Sequence, residues 1–349
     1  MEKFVVDVDL SCTSKHLAQM YTGLEILAAK GQIELNYSYS HTVNSCTSMF
    51  IRVNSKLIFI DCADGSAIND VAYERSGLYF KRSFDQRLFL SKNKLKMYGL
   101  SYEVHPSLFY INTLRRFLYH SSGGYLSKLK SLIRASDVHN KISYLSREHS
   151  FTQTLIPEVE DDVSVMFYAR LWNPDWDEDC FLNDEEREDR IRINQYRIKS
   201  ISYLKEQFGD RFIGGIIEDS YSIKIAPQLL ADVISTKKQN YLNQVKRIPI
   251  CISTTGLHNS IGWKFAEYVV MARAIVSEPI CFSVPGGFSV NQNFLEYSSP
   301  EECVDRVIYL FDNEEKRRVM MYNNHKYYQD YLAPDKLVFH ILQEVINSI

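Results

Sequence analysis

The sequence predicts an α/β protein of two domains, each a mostly parallel sheet with helices on both faces. Three observations predict it. Short apolar runs of strand length alternate with longer stretches of helical period along the chain. A length of 349 residues suffices for two domains of ordinary size. The alternation breaks around 146–160, where Pro157 and the acidic run Glu158–Asp162 mark a boundary. The expected division is 1–155, 156–330 and a closing helix, 331–349, that returns to the first domain.

Each element has its own signal. Phe4–Val8 is a short apolar strand, and Lys15–Lys30 carries Leu17, Met20, Tyr21, Leu24, Leu27 and Ala28 at helical spacing. Ile33–Tyr37 is a strand. Met49–Val53 and Lys56–Asp61 flank Asn54-Ser55 as a hairpin. Leu78–Lys81 is a strand, and 85–97 suits a helix closed by Gly99. The stretch 111–135 is helical or irregular, broken by the Ser121-Ser122-Gly123-Gly124 loop. Val163–Tyr168 is a buried strand, followed by an acidic loop and an amphipathic helix over Glu188–Phe208, with Ile191, Tyr196, Ile198, Ile201 and Leu204 as its apolar face. Phe212–Ile217 is a strand and Ala226–Val245 mostly helix. Strands begin at Ile250, span Ala274–Ser277 and span Asn293–Tyr297. Helices close the chain at Pro300–Phe311, Glu314–Tyr331 and Pro334–Ile346. In such sheets ligands bind beyond the carboxyl ends of the strands. Arg170, Gly256 and Glu278 all fall just past strand ends, so one crevice can hold them.

Composition narrows the function. Hydrophobic residues make up 45% and charged residues 24%, which excludes a disordered chain. A net charge of -3 argues against a dedicated nucleic-acid binder. The 23 Tyr and 19 Phe suit stacking on sugars or bases, although most of them are expected in cores. No run reaches the ~18–20 apolar residues that span a bilayer. The N-terminal stretch has acids and no signal-peptide core, so a cytoplasmic location is expected. Seven Cys at irregular spacing fit reduced thiols, and His258 and His325 are isolated from any metal-ligand pattern.

The most informative stretch is Ile250–Pro279. It reads as a buried strand, a glycine-bearing loop, a helix and a second buried strand. A helix N-terminus behind a glycine loop offers amide donors and a positive dipole end, a seat for phosphate. Gly256, His258, Ser260 and Gly262 lie in that loop, with the helix expected to start near Asn259 or Ser260. Lys264, in its first turns, can neutralise a diphosphate. Glu267, one to two turns in, can reach the hydroxyls of an attached ribose. Arg170, past the first strand of the second half, presents a guanidinium fork that suits two phosphate oxygens. Trp172 beside it can wall the pocket.

This segment resembles the donor-binding half of GT-B glycosyltransferases, above all the bacterial group-1 type. Glu267 matches the second glutamate of their Glu-x7-Glu motif, and Asn259 stands where the first would fall. The tail Ser298–Leu332 carries the second resemblance, a Ser-Pro-Glu-Glu helix start followed by an Arg-Arg-x-Met-like run and Asn-x-x-x-Tyr-Tyr. The resemblance covers roughly 163–335. It implies two Rossmann-like domains facing a cleft, with C-terminal helices packing back across them. It also implies a glycosyltransferase that moves a sugar from a nucleotide diphosphate-sugar to a glycan or lipid-linked acceptor in capsule, O-antigen or lipopolysaccharide synthesis. The nucleotide-sugar is then a co-substrate and no cofactor or metal is called for. A peripheral contact with the inner membrane belongs to the same expectation. Arg170 would hold the departing diphosphate, and Gly286 and Gly287 would lie near the donor sugar. A sugar-nucleotide epimerase of the same shape, or a degenerate GT-B protein that binds or scaffolds, are the alternatives.

The first half is expected to bind the acceptor. Asp61 and Asp64 end an apolar strand, and either is a candidate base for the acceptor hydroxyl, with an Asx turn as the plain alternative. Lys81 and Arg82 are candidate contacts for an acceptor phosphate or an acidic glycan. Asp175-Trp176-Asp177 has the Asp-x-Asp form of a Mn²⁺ motif but sits in an acidic loop, where a solvated role is expected.

Overall fold

The computed structural model describes residues 4–9, 15–38, 47–88, 92–104, 163–175 and 182–348. The chain divides into two compact units. The first comprises Met1–Thr154, Phe282–Gly287 and Tyr327–Ile349, and the second Leu155–Cys281 and Phe288–Lys326. The fold is α/β with one sheet in each unit, the class the sequence predicts. The expected break at 146–160, the 111–135 segment and its serine-glycine loop lie outside the described residues.

The first unit holds β1 (Phe4–Asp9), α1 (Ala18–Ala29), β2 (Ile33–Ser38), β3 (Ser48–Val53), β4 (Lys56–Asp61), α2 (Asp70–Arg75), β5 (Leu78–Lys81) and β6 (Leu95–Met97). The strands form a six-stranded sheet in the order β2-β1-β3-β4-β5-β6. It is mixed rather than parallel, because β3 runs antiparallel to both β1 and β4. The reason is the predicted hairpin: Asn54 takes the left-handed φ of 51° that its turn needs. Asn54 also extends the pairing of β1, its N–H donating to the Val5 carbonyl at 2.7 Å and its Oδ1 accepting from Val5 N–H at 3.0 Å. The helix expected over 85–97 does not form among its described residues, which hold one short 3-10 turn, Gln86–Leu88, and β6 at the sheet edge. Pairing of Leu95 with Tyr79 overrides its helical spacing.

The second unit holds β7 (Val165–Ala169), α3 (Asp184–Phe208), β8 (Phe212–Ile216), α4 (Ser222–Ile225), α5 (Val233–Thr236), α6 (Lys238–Arg247), β9 (Ile250–Ser253), α7 (Trp263–Val270), β10 (Ala274–Ser277), β11 (Leu295–Glu296), α8 (Pro300–Asp312) and α9 (Glu314–Tyr327), whose last residue counts with the first unit. Its five-stranded sheet, β11-β10-β9-β7-β8, is parallel at every pairing. Burial on both faces explains why β7, β9 and β10 read as unbroken apolar runs. Fully burying each Val or Ile there contributes about 1.5–3 kcal/mol.

Capping sets where α3 starts. Asn183 accepts from the Glu186 N–H while the Glu186 carboxylate accepts from the Asn183 N–H, a complete capping box. The helix turns Arg190, Ile193, Asn194, Arg197, Ile201, Leu204 and Phe208 inward, while Ile191 is 43% exposed. The predicted apolar face is therefore rotated, because buried polar side chains share the stripe. The helix expected over Ala226–Val245 is broken into pieces after Ala226 and at Lys237, and only α6 is long. In the first unit, α10 (Pro334–Asn347) packs along α1, with Gly23 against Pro334 and Val338.

Candidate functional site

Parallel strands bring the carboxyl ends of β7, β9 and β10 to one edge of the second sheet. Arg170, the 254–262 turn and Glu278 follow these ends, and side chains tie them together. Arg197 of α3 donates from Nη1 to the Arg170 carbonyl at 2.6 Å, from Nη2 to the Thr255 carbonyl at 2.9 Å and from Nε to Thr254 Oγ1 at 3.1 Å. Glu278 accepts from the Thr255 N–H at 2.7 Å and from its hydroxyl at 3.2 Å. Burial raises the pKa of Glu278 against the opposing pull of these hydrogen bonds and of Arg197. Arg170 itself is exposed, its guanidinium 6.0 Å from the Trp172 ring centre.

The turn after β9 is tight. The Gly256 N–H donates to the Ser260 carbonyl at 2.9 Å, and a Cβ on Gly256 would sit 2.7 Å from Ser260 Oγ. Ser260 is buried and closes the turn. His258 and Asn259, both exposed, take left-handed φ values of 58° and 55°. Asparagine tolerates that region far better than glutamate does, a physical reason for Asn259 at this position. The helix starts later than expected, at Trp263, because the turn consumes residues up to its N-cap, Gly262. That glycine brings no side-chain acceptor to the first turn, and among the described residues nothing lies within 4 Å of a Cβ built on it.

Charge is concentrated behind this turn. Lys264 donates from Nζ to the Tyr168 carbonyl at 2.7 Å and lies 5.7 Å from the Tyr241 ring centre. Its pKa is lowered to about 7, first by desolvation, then by Arg197, with Lys238 and Arg170 adding repulsion and Glu267 opposing it. Glu267 is 2% exposed, with Oε1 paired to the Lys238 ammonium and Oε2 without a hydrogen-bond partner among the described residues. It lies little more than one turn into α7, nearer the helix start than expected. Lys264 is thus faced by Arg170, Arg197 and Lys238 against Glu267 alone, while Glu278 faces Arg197 and Arg192, an excess of basic groups at a sheet edge. Such an excess suits a multiply charged anion.

Of the predicted donor residues, Arg170, Gly256, His258, Ser260, Gly262, Lys264 and Glu267 belong to this edge or the helix behind it. Gly286 and Gly287 do not, since they count with the first unit. Gly286, at φ 82°, lies flat on the Tyr331 ring, where a Cβ would come within 2.6 Å of ring carbons. With Phe80, Tyr98 and His340 it lines a cavity of about 390 Å³. Asp175 is exposed and pairs with Arg187 at 2.6 Å, and Asp177 lies outside the described residues. No cluster of three or more metal-ligating side chains occurs among the described residues.

Arg197 and Lys238 escaped the sequence reading. The signal for Arg197 was available: Arg190, Asn194, Arg197, Ile201 and Leu204 recur at helical spacing, which places polar groups on the buried stripe. Lys238 had no such mark.

The first unit has its own polar edge, where β4 and β5 end. Asp61 is buried, and its carboxylate accepts from the Tyr79 hydroxyl, from Lys81 Nζ at 3.0 Å and from the Ala63 N–H at 2.9 Å. The last bond is the Asx turn. Lys81 is 1% exposed, so its charge serves Asp61 rather than a surface; a buried ammonium requires such a partner. Asp64 is half-exposed and pairs with the buried Arg82. Arg82 also reaches Ser101 Oγ at 3.5 Å, and Glu103 pairs with Lys15 at 3.6 Å. His16 has its pKa lowered by burial and by Arg82, against Glu103. His16 and Ser101 meet Arg82, and Glu103 meets Lys15 and His16, only through tertiary structure, and no local pattern marks these three residues.

No protein-family model matches the sequence, and no curated protein does. Among solved structures, the chain is similar to a putative UDP-N-acetylglucosamine 2-epimerase from Listeria monocytogenes, at TM-score 0.43 and 10% identity over 99% of this chain and 96% of that one. It is also similar to MnaA of S. aureus in a co-structure with UDP, at TM-score 0.41 and 10% identity over 100% and 98% of the two chains. The C-terminal domain of a glycosyl transferase group 1 family protein (LpcC) from Francisella tularensis matches at TM-score 0.33 and 10% identity, over 51% of this chain and 95% of that domain.

Proposed function

We propose that the chain is a glycosyltransferase of GT-B type that uses a nucleotide diphosphate-sugar, with the donor on the second unit and the acceptor on the first. The observation that carries the reading is Lys264. Its Nζ donates to the Tyr168 carbonyl at the end of β7, and desolvation, then Arg197, Lys238 and Arg170, lower its pKa, an arrangement that folding alone does not favour. A diphosphate relieves that repulsion. The motif resemblance of Ile250–Pro279 and the Ser298–Leu332 tail supplies the rest of the reading.

In this mechanism the acceptor hydroxyl attacks the anomeric carbon of the donor and the nucleotide diphosphate leaves. Arg170 and Lys264 meet the negative charge that grows on the leaving group, with the start of α7 adding its dipole end. The Glu267 carboxylate accepts hydrogen bonds from the ribose. Lys238 already covers Oε1, so the ribose is met by Oε2, or by both oxygens once Lys238 moves aside. Asp64, the half-exposed carboxylate of the first unit, is the proposed base. With the phosphate charge met by side chains, transfer needs no divalent metal. A bacterial envelope glycan is the proposed product.

The test is nucleotide release and sugar transfer across a panel of nucleotide-sugars. Arg170→Ala lowers turnover and weakens diphosphate-sugar binding in a folded protein, since losing a charged hydrogen-bond partner costs on the order of 1.5–3 kcal/mol. Unchanged kinetics would remove Arg170 from the site. Interconversion of the sugar without transfer would point to an epimerase, and failure to bind any donor to a scaffold.

A further inference from the structure

We propose that Arg197 is the positioning residue of the anion site, holding the Arg170 carbonyl and the Thr254-Thr255 turn in register while setting the charge that Lys264 faces. The inference rests on the donor-site reading above. The three donor groups of Arg197 reach two different strand ends, so one buried guanidinium fixes the spacing between Arg170 and the turn that leads to α7. Only a planar fork spans those acceptors at once; a lysine ammonium is a single point of attachment. Arg197 is 6% exposed, so it acts through these groups and not by touching a ligand.

Its charge has a second consequence. Lys264 is faced by Arg197 from α3, Arg170 after β7, Lys238 and Tyr241 from α6, the Tyr168 carbonyl of β7 and Glu267 on its own helix. Desolvation lowers the Lys264 pKa most and Arg197 most among the charges, and together they bring proton release from the ligand-free lysine near neutral pH. An anion that binds beside it restores the proton. Binding is then coupled to proton uptake, and affinity falls as pH rises through about 7.

The test is calorimetry of inorganic pyrophosphate binding across pH, in buffers of different ionisation enthalpy, on wild type, Arg197→Met and Arg197→Lys. Wild type takes up a proton above neutral pH and loses affinity there. Arg197→Met weakens binding and moves the pH midpoint upward by on the order of one unit, because a repelling charge is gone. Arg197→Lys keeps the charge and so the midpoint, but loses at least several-fold in affinity because the fork is gone. A fall in affinity with the same midpoint in Arg197→Met would overturn the electrostatic role, and wild-type affinity in Arg197→Lys would overturn the positioning role. Should Arg197→Met fail to fold, Thr254→Val removes one of its bonds; unaltered binding there would equally count against positioning. Wild type that does not bind pyrophosphate at any pH would overturn the anion site itself, and this inference with it.

Discussion

Lys264 is the residue at which stability and binding pull in opposite directions. Its pKa falls from an ordinary 10.5 to about 7 in the folded chain. Between those values the unfolded chain holds a proton that the folded chain has released, so stability contributed by this site rises with pH across that window and is least below it. Lys264→Met removes the desolvated charge. The expected outcome is a melting temperature a few degrees higher at neutral pH, with a smaller gain at high pH, together with loss of pyrophosphate and nucleotide-sugar binding; scanning calorimetry with and without ligand measures both. Glu267 gives the complementary case. Glu267→Gln keeps the shape and weakens the acceptor, so donor KM rises more than kcat falls. Glu267→Ala is worse, because it removes the carboxylate paired with Lys238 and leaves a buried hole. Wild-type donor kinetics in both variants, combined with easier unfolding, would make Glu267 a structural carboxylate.

At the scale of elements, two local devices hold the fold that carries the site. The capping box at Asn183 starts the helix that delivers Arg197, and Asn183→Ala is expected to cost about 1 kcal/mol in urea unfolding. The contact between α1 and α10 depends on a bare Cα. A Cβ on Gly23 would lie 2.1 Å from the Pro334 carbonyl oxygen and 2.4 Å from Val338 Cγ2. Gly23→Ala must push backbone apart, which typically costs about 1–3 kcal/mol and more where backbone itself is the obstacle. A denaturant midpoint equal to wild type would show that the two helices separate freely. The turn before α7 follows the same logic at smaller scale, with glycine at 256 for close approach and asparagine at 259 for a left-handed φ.

For the whole molecule, the proposed donor site makes ligand binding a stability measurement. A nucleotide-sugar at about 100 times its dissociation constant stabilises the fold by about 2.7 kcal/mol, which thermal shift detects readily. The stabilisation and any transfer are expected to persist in EDTA. Loss in EDTA with recovery in Mn²⁺ would instead promote the Asp175 loop. No helix among the described residues is long and apolar enough to cross a membrane.

The sequence by itself determined the class of the fold and most of its elements. Apolar runs such as Val165–Ala169, Ile250–Ser253 and Ala274–Ser277 are legible because strands buried on both faces admit few polar residues. The positions of Arg170, Lys264 and Glu267, just past a strand end or early in the following helix, were legible for a related reason, and their part in a ligand site is the proposal made from those positions. Only the tertiary structure decided what those side chains do to one another. The pairing of Lys81 with Asp61, the capture of Gly286 by Tyr331, the Lys238 ammonium on Glu267 and the three-way grip of Arg197 all join residues distant in sequence. The local pattern also misread the 85–97 segment as helix and placed the start of α7 too early. Sheet pairing decided the 85–97 segment, a tight turn closed by Ser260 delayed α7, and buried charge set the grips of Lys81, Lys238 and Arg197; none of these leaves a periodic trace along the chain.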